Sequence, residues 1–360
     1  MALAHTLAEE PGRSNDEEPM PNNIISHCFA HASFSAFALM LAVAPAMAQQ
    51  QPAEIKVGLA ALVNTALPLH LAEAGGFYAK QNLKVTIVDA GGGTRGGRAL
   101  ATGELQVMHV GLSGVADING KGGDLRVIAS LSNVMRFVFF SDPKVRTAAD
   151  LKGKSIGVSS LGSESDSAAS LALRQLGLSR SDVTIKEAGG SPQRLAAIKS
   201  GAIAAAAMNE PAATQAQEQG LYPLVDLFAA KTPWLFTGLS VDKRYLDANR
   251  AVLGRFMAAT LEGAYRGITD EAWAKPILAR DYKIANPKIL DIVYADFKAQ
   301  MPPTALPTRE ASENVLSLLP TFGVKLKSQK IEDHVDTGVI DTLIADGTIA
   351  TLQQRYGLNR

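Results

Sequence analysis

The chain has 360 residues, 47% hydrophobic and 19% charged, a globular composition with room for two domains of ordinary size. Lys+Arg and Asp+Glu both number 35, so the basic excess that phosphate backbones demand is absent and no nucleic acid is expected as a partner. Aromatic residues make up 6%, which leaves few side chains for a base- or sugar-stacking platform.

Phe34 to Ala44 is an uninterrupted run of apolar and small residues, too short to span a bilayer as a helix and suited to the apolar part of an export signal. Ala46-Met47-Ala48 has the A-x-A form that signal peptidase accepts, so residues 1–48 are expected to be a signal peptide cleaved after Ala48. A buried helix is the alternative. No Lys or Arg lies between Met20 and the apolar run, and the polar stretch Met1–Pro19 raises Met20 as a true start. Cleavage removes five acids (Glu9, Glu10, Asp16, Glu17, Glu18), one base (Arg13) and Cys28, the only cysteine. A mature chain without thiols suits an oxidising compartment.

An internal repeat organises the middle of the chain. VTIVDAGGGTRGGRALATGELQV at 85–107 aligns with VTIKEAGGSPQRLAAIKSGAIAA at 183–205, matching Val85-Thr86-Ile87 with Val183-Thr184-Ile185 and Ala90-Gly91-Gly92 with Ala188-Gly189-Gly190. Upstream, Lys56-Val57-Gly58-Leu59 resembles Ser155-Ile156-Gly157-Val158 with a slip of one residue. In each copy a short β-branched strand runs into a Gly-rich turn, a helix and another strand. Thr94 and Ser191 are expected as helix caps, Pro192 as the first helical residue, and Gly103 and Gly201 as C-caps.

Between the copies, Phe137–Phe140 reads as a strand and Ser141-Asp142-Pro143 as a breaker. Leu239-Ser240-Val241 is a further extended segment. The two stretches predict paired crossovers, with the chain leaving a first lobe near 141 and returning near 239. Residues 49–140 plus 240–360 then form lobe 1 and residues 141–239 form lobe 2. Periodicity and breakers predict helices over 245–266, 270–281, 286–300, 308–319 and 335–355, which add to lobe 1.

In open parallel α/β sheets, strand carboxyl ends and helix amino ends face the same way and collect free N–H groups. Two such lobes facing each other enclose a cleft. Lobe 1 supplies Ala60–Thr65, Gly91–Thr94 and Gly111–Gly114; lobe 2 supplies Ser159–Ser165, Gly189–Gln193 and Asn209–Pro211. The candidate ligand contacts are Asn64, Thr65, Thr94, Leu112, Ser113, Ser160, Gly162, Ser163 and Asn209. Small hydroxyl and amide side chains beside glycine favour a small anion or a polar compound. Arg95 or Arg98 supplies a cation for it unless both point to solvent. Glu210 meets a ligand amine or favours a helix N-terminus. Trp234 covers the cleft or fills the core.

Chemistry-bearing motifs do not emerge. His70, His109 and His334 lack metal-ligand spacing, so no metal is expected, and His109 reads as a hydrogen-bonded core residue. Neither G-x-x-x-x-G-K-[ST] nor G-x-S-x-G is present. Gly91–Gly96 fits G-x-G-x-x-G superficially, but the repeat copy lacks the pattern, and no cofactor is expected.

Ala149-Asp150-Leu151-Lys152-Gly153-Lys154-Ser155-Ile156-Gly157-Val158 resembles the DLKGKxIGV segment that opens the second lobe of periplasmic solute-binding proteins. Ala196–Gly201 with Asn209-Glu210-Pro211, and Leu71–Tyr78, are similar to segments of the nitrate, taurine, aliphatic-sulfonate and thiamine-precursor binding type. The resemblance covers about residues 55–330. It implies an α/β fold of the type-II periplasmic binding protein kind, with two α/β lobes joined by two crossover strands. It implies a monomeric, non-enzymatic, periplasmic component that closes like a Venus flytrap on a small sulfonate, nitrate, carboxylate or pyrimidine-like ligand. Its partners would be an ABC permease and its ATPase. Family members carry Asp where Gln106 and Ala204 stand here. Some relatives of this fold are enzymes, of pyrimidine-synthesis or dehydratase type, and a ligand-presenting sensory role is a third reading.

Overall fold

The computed structural model describes residues 51–61 and 63–358. The signal segment, its cleavage point and Cys28 lie outside the described residues. β1 (Ala53–Leu59) passes through a 3₁₀ turn (Asn64–Ala66) into α1 (Leu67–Ala74) and α2 (Phe77–Lys80). Then come β2 (Leu83–Asp89), α3 (Gly93–Thr102), β3 (Val107–Val110), α4 (Leu112–Gly120) and β4 (Leu125–Val134). The next stretch holds β5 (Val138–Ser141), α5 (Ala148–Leu151), β6 (Ser155–Val158), α6 (Glu164–Gln175), β7 (Thr184–Glu187), α7 (Ser191–Lys199), β8 (Ala205–Met208), α8 (Ala212–Glu218) and β9 (Tyr222–Asp226). β10 (Pro233–Asp242) then leads into α9 (Lys243–Thr269), α10 (Glu271–Tyr282), α11 (Pro287–Gln300), α12 (Arg309–Leu318), α13 (Gly338–Ala345) and α14 (Thr348–Arg355).

Two five-stranded sheets result, ordered β2-β1-β3-β10-β4 and β7-β6-β8-β5-β9. In each, three parallel strands are followed by a strand antiparallel to its neighbours. This is the two-lobed α/β architecture of the type-II fold. Strand pairing moves the crossovers from their expected places. Val138–Phe140 of the apolar run lies in β5, between β8 and β9, so it already belongs to the second lobe, with Phe137 directly before it. Ser141-Asp142-Pro143 ends a strand within that lobe and does not separate the two. Trp234 to Val241 lies inside β10, between β3 and β4 of the first sheet. The chain therefore passes between sheets at 135–137 and 227–232, not at 141 and 239.

The repeat is present in atomic detail. β2-α3-β3 and β7-α7-β8 match at the first strand's end, the helix start and the whole second strand, and the two strands of each pair flank β1 or β6. A methyl group added at Gly58 would lie 2.4 Å from Leu105 and 3.1 Å from Ala90; one at Gly157 would lie 2.4 Å from Ile203 and 3.3 Å from Ala188. Glycine in these strands leaves the space that the equivalent Leu105 or Ile203 fills, the usual reason for a strand glycine. The helices start earlier than expected, by two residues in α3 and by one in α7. Gly92 and Gly190 are the N-caps, so Thr94 and Pro192 are second helical residues. Gly103 is the left-handed C-cap of α3, φ 78°, while Ser200 caps α7 and Gly201 comes after it.

The C-terminal helices complete the first lobe. Leu253, Phe256, Met257, Leu261 and Tyr265 lie on the inner face of α9 and are buried. The Tyr78 ring stacks on Phe256 at 5.4 Å, and its hydroxyl is 3.1 Å from that of Thr260. The helix expected over 335–355 is broken at Gly347, whose φ of 77° starts α14 afresh. Among the described residues, no helix is long and apolar enough to cross a membrane.

Candidate functional site

The Gly-rich turn after β2 faces the end of β6. Between them lies a cavity of about 590 Å³, lined by Gly91–Gly93, Arg95 and Arg98 on the first lobe and by Ser159 and Ser160 on the second. Asp89 and Glu104 also line it, and Asp89 Oδ1 accepts the Gly91 amide at 2.8 Å. Arg95 folds back over Gly91: a methyl group there would meet its Cδ at 3.2 Å. Arg95 and Arg98 are both exposed and enter no ion pair within the described residues. Thr94 is the second residue of α3, beside this wall.

Deeper, the lobes touch through a carboxylate. Glu164, the first residue of α6, reaches from the second lobe to the head of α4 in the first. Its Oε1 accepts the Ser113 amide at 2.8 Å and its Oε2 accepts the Trp234 indole N–H at 2.7 Å. Burial pushes its carboxyl up to about 7, against the indole and the Ser113 and Gly114 donors, which lower it. Leu112 and Trp234 are fully buried beside it, so Trp234 is a core residue that also supplies a donor. Gly111 makes the approach possible. A methyl group there would stand 2.1 Å from both Glu164 Oε1 and the Phe236 carbonyl. Gly111→Ala should therefore cost about 1–3 kcal/mol through overpacking against backbone, as chemical denaturation would measure; an unchanged midpoint would contradict the geometry. Gly162, φ 80°, brings the second lobe close to the Asp117 carboxylate on α4, whose Cγ would stand 2.6 Å from an added methyl group.

The hydroxyls of lobe 2 are largely committed to each other. Ser163 caps α6 by accepting the Asp166 amide, and its Oγ lies 2.9 Å from Ser159 Oγ and 3.0 Å from Ser165 Oγ. Ser160 remains on the cavity wall. Below, Arg194 is buried, and its guanidinium donates to Gly189 O at 2.5 Å, Ala207 O at 3.0 Å and Ser191 Oγ at 2.9 Å. Ser191 in turn donates to Asn209 Oδ1 at 2.9 Å. Burial lowers the Arg194 pKa to about 9. The group braces the Gly189 turn against the end of β8.

A second polar centre sits across the first crossover. Arg136 and Asp296 form a buried ion pair, and Asn64 Nδ2 donates to the same carboxylate oxygen. Arg136 also lies 4.8 Å over the Phe228 ring, a cation–π distance. Glu210 accepts the Thr214 amide at 3.2 Å in the first turn of α8, so its carboxylate supports the helix. Its pKa is raised, mainly by burial, with Asp296 also raising it and Thr214 and Arg136 lowering it. Thr65 Oγ1 lies 3.2 Å from His109 Nε2. Burial, with His70 nearby, lowers His109 to about 4, so it is neutral at neutral pH.

The twelve candidate residues thus divide. Arg95 and Ser160 lie at the cavity, and Thr94 is in the first turn of α3. Leu112, Ser113 and Trp234 surround the Glu164 carboxylate, and Gly162 and Ser163 form the turn that carries it. Asn64 and Thr65 belong to the second polar centre and its neighbour His109. Asn209 is tied to Ser191, and Glu210 to α8. Sequence reasoning missed Glu164, Arg136, Asp296 and Arg194. Arg136 had a local signal, as the one charge inside the apolar run from Val134 to Phe140. Among the described residues, no group of three or more His, Cys, Asp or Glu side chains is placed to hold a metal ion.

Comparison with solved structures extends the architecture. The periplasmic aliphatic sulphonate-binding protein SsuA from Escherichia coli is 20% identical, with 81% of this chain and 99% of that one covered and a TM-score of 0.64. The alkanesulfonate-binding protein SsuA from Xanthomonas axonopodis pv. citri, solved with MOPS bound, is 20% identical over 79% and 99% of the two chains, TM-score 0.67. The periplasmic nitrate-binding protein NrtA from Synechocystis PCC 6803 is 15% identical over 83% and 90%, TM-score 0.66. These likenesses concern the fold. A search of curated proteins returned no match. The family model described as NMT1/THI5 like matches residues 64–271, which takes in every strand of the two sheets except β1 and both crossovers between them, and the chain belongs to that NMT1/THI5-like family.

Proposed function

We propose that the chain is the soluble solute-binding component of an ABC importer, which captures a small anionic or polar organic compound between its lobes and delivers it to a membrane permease and ATPase. One observation carries this reading: the cavity of about 590 Å³ between the Arg95/Arg98 turn and Ser159-Ser160, with two guanidinium groups beside the Asp89 and Glu104 carboxylates on one wall and hydroxyls on the other. Its volume suits a small organic molecule, and the head of α3 adds backbone donors. The export-like N-terminus and the solute-binding proteins that share the fold support a periplasmic location. Sulfonates and carboxylates come first as candidates because an exposed Arg pair favours them over cations.

The test is a thermal-shift and calorimetry screen of the purified chain against short sulfonates, nitrate, carboxylates and aminopyrimidines. One class should raise the unfolding midpoint. Arg95→Ala combined with Arg98→Ala should weaken that compound about 10- to 100-fold, the loss of a charge-assisted hydrogen bond worth about 1.5–3 kcal/mol. Binding untouched by the double variant would remove the cavity from the proposal. Turnover of the bound compound would assign the chain to the enzymes of this fold.

A further inference from the structure

A carboxyl group already occupies the head of α4, and it belongs to the protein. α4 begins at Leu112, so the Ser113 amide is one of the unpaired donors of its first turn and the positive end of the helix lies there. The Trp234 indole N–H converges on the same point from β10. Gly111 leaves the space in which a carboxylate oxygen can stand. The Ser113 hydroxyl is wholly buried beside it, lacks a well-formed hydrogen bond, and acts with the amides on the Glu164 carboxyl. The carboxylate that meets these donors comes from the opposite lobe.

We propose that the head of α4 is a carboxylate-binding seat, and that Glu164 fills it as an internal ligand that latches the second lobe to the first. While Glu164 is seated, an incoming anion has no access to these donors and is directed to the outer chamber beside Arg95. Withdrawal of Glu164 frees the seat and the lobe contact together. The proposal does not depend on the transport reading, because the seat is tested with formate and not with any transported compound.

The experiment is chemical rescue. Glu164→Ala removes the carboxylate and its Cγ and leaves the Ser113 and Trp234 donors with a hole the size of a two-carbon acid, large enough to admit formate. Sodium formate, against sodium chloride at equal ionic strength, should raise the unfolding midpoint of Glu164→Ala saturably, by about 5 °C near saturation, and leave the wild type within about 1 °C. Adding Trp234→Phe, which deletes the indole donor, should abolish the rescue. Formate acting equally on wild type and variant, or on neither, overturns the seat. Should Glu164→Ala fail to fold, the wild type still decides the matter. The chain has two tryptophans, so each indole proton is separately visible by NMR. The Trp234 indole should exchange at least 100-fold more slowly than that of Trp273; equal rates would mean that Glu164 is not seated in solution.

Discussion

Replacing Asp296 by alanine is expected to cost about 3–5 kcal/mol of unfolding free energy, the range found when one partner of a buried ion pair is removed. Arg136 and Asp296 are both nearly inaccessible, with 4% and 9% of their side chains exposed. Without the carboxylate, the guanidinium keeps its charge in a site where the Phe228 ring face is the remaining attraction, and Asn64 loses its acceptor. Asp296→Asn retains an acceptor oxygen and should fall between wild type and alanine. Arg136→Met with Asp296→Leu should recover most of the loss, because an apolar pair of similar volume carries no buried charge. Urea titration of the four proteins measures this. A cost below about 1 kcal/mol for Asp296→Ala would mean that water reaches the guanidinium and that the pair is not buried in solution.

The second large effect concerns pH. Burial raises Glu164 from 4.5 to about 7, while in the unfolded chain the group titrates near 4.5. Between those values the native state holds the proton more tightly than the unfolded state, so stability falls as pH rises across the interval. The contribution is fully present below about pH 4.5 and lost above about pH 7. At about 1.4 kcal/mol per pH unit, the loss amounts to about 3 kcal/mol. The groups that face the carboxylate are the amides at the head of α4 and the Trp234 indole, and none of them titrates in this range. The whole-protein profile will not display the effect cleanly. His109, His70 and His334 are pulled down by burial and act with the opposite sign, since each gains stability as pH rises through its unfolded value. The difference between wild type and Glu164→Gln isolates the group. That difference should move against the wild type by about 3 kcal/mol between pH 4.5 and 7. A difference that is flat across the interval would show the carboxylate to be solvated.

The elements that positioned the cleft were legible because they rest on local chemistry. Val85-Thr86-Ile87 and Val183-Thr184-Ile185 are β-branched runs followed by glycine turns, and the helices after them end at Gly103 and near Gly201. Those signals sit within a few residues of one another, and the structure displaces the helix starts by two positions in α3 and one in α7. The crossovers were misjudged because Ser141-Asp142-Pro143 ends a strand whether or not a lobe ends with it. Only the pairing partners of β5 and β10, far away in sequence, decide which sheet a strand joins. The polar contacts were illegible for the same reason. Arg136 and Asp296 are 160 residues apart, and nothing near Asp296 on α11 marks it as different from any other helical acid. Glu164 reads as an ordinary first-turn acid after a capping Ser163, because its partners Ser113 and Trp234 come from the opposite sheet.

The ion pair has one mechanical result. Arg136 lies in the passage 135–137, one of two links between the sheets, and Asp296 fastens it to a helix of the N-terminal lobe. The two links are themselves stitched together, Leu227 N to Phe137 O at 3.1 Å and Met135 N to Thr232 O at 3.0 Å. Torsional freedom is thereby withdrawn from the first link and left to residues 228–231, where Lys231 already has a φ of 46°. Any swing of one half against the other would turn about a pinned axle at Arg136, with the slack taken up on a single side.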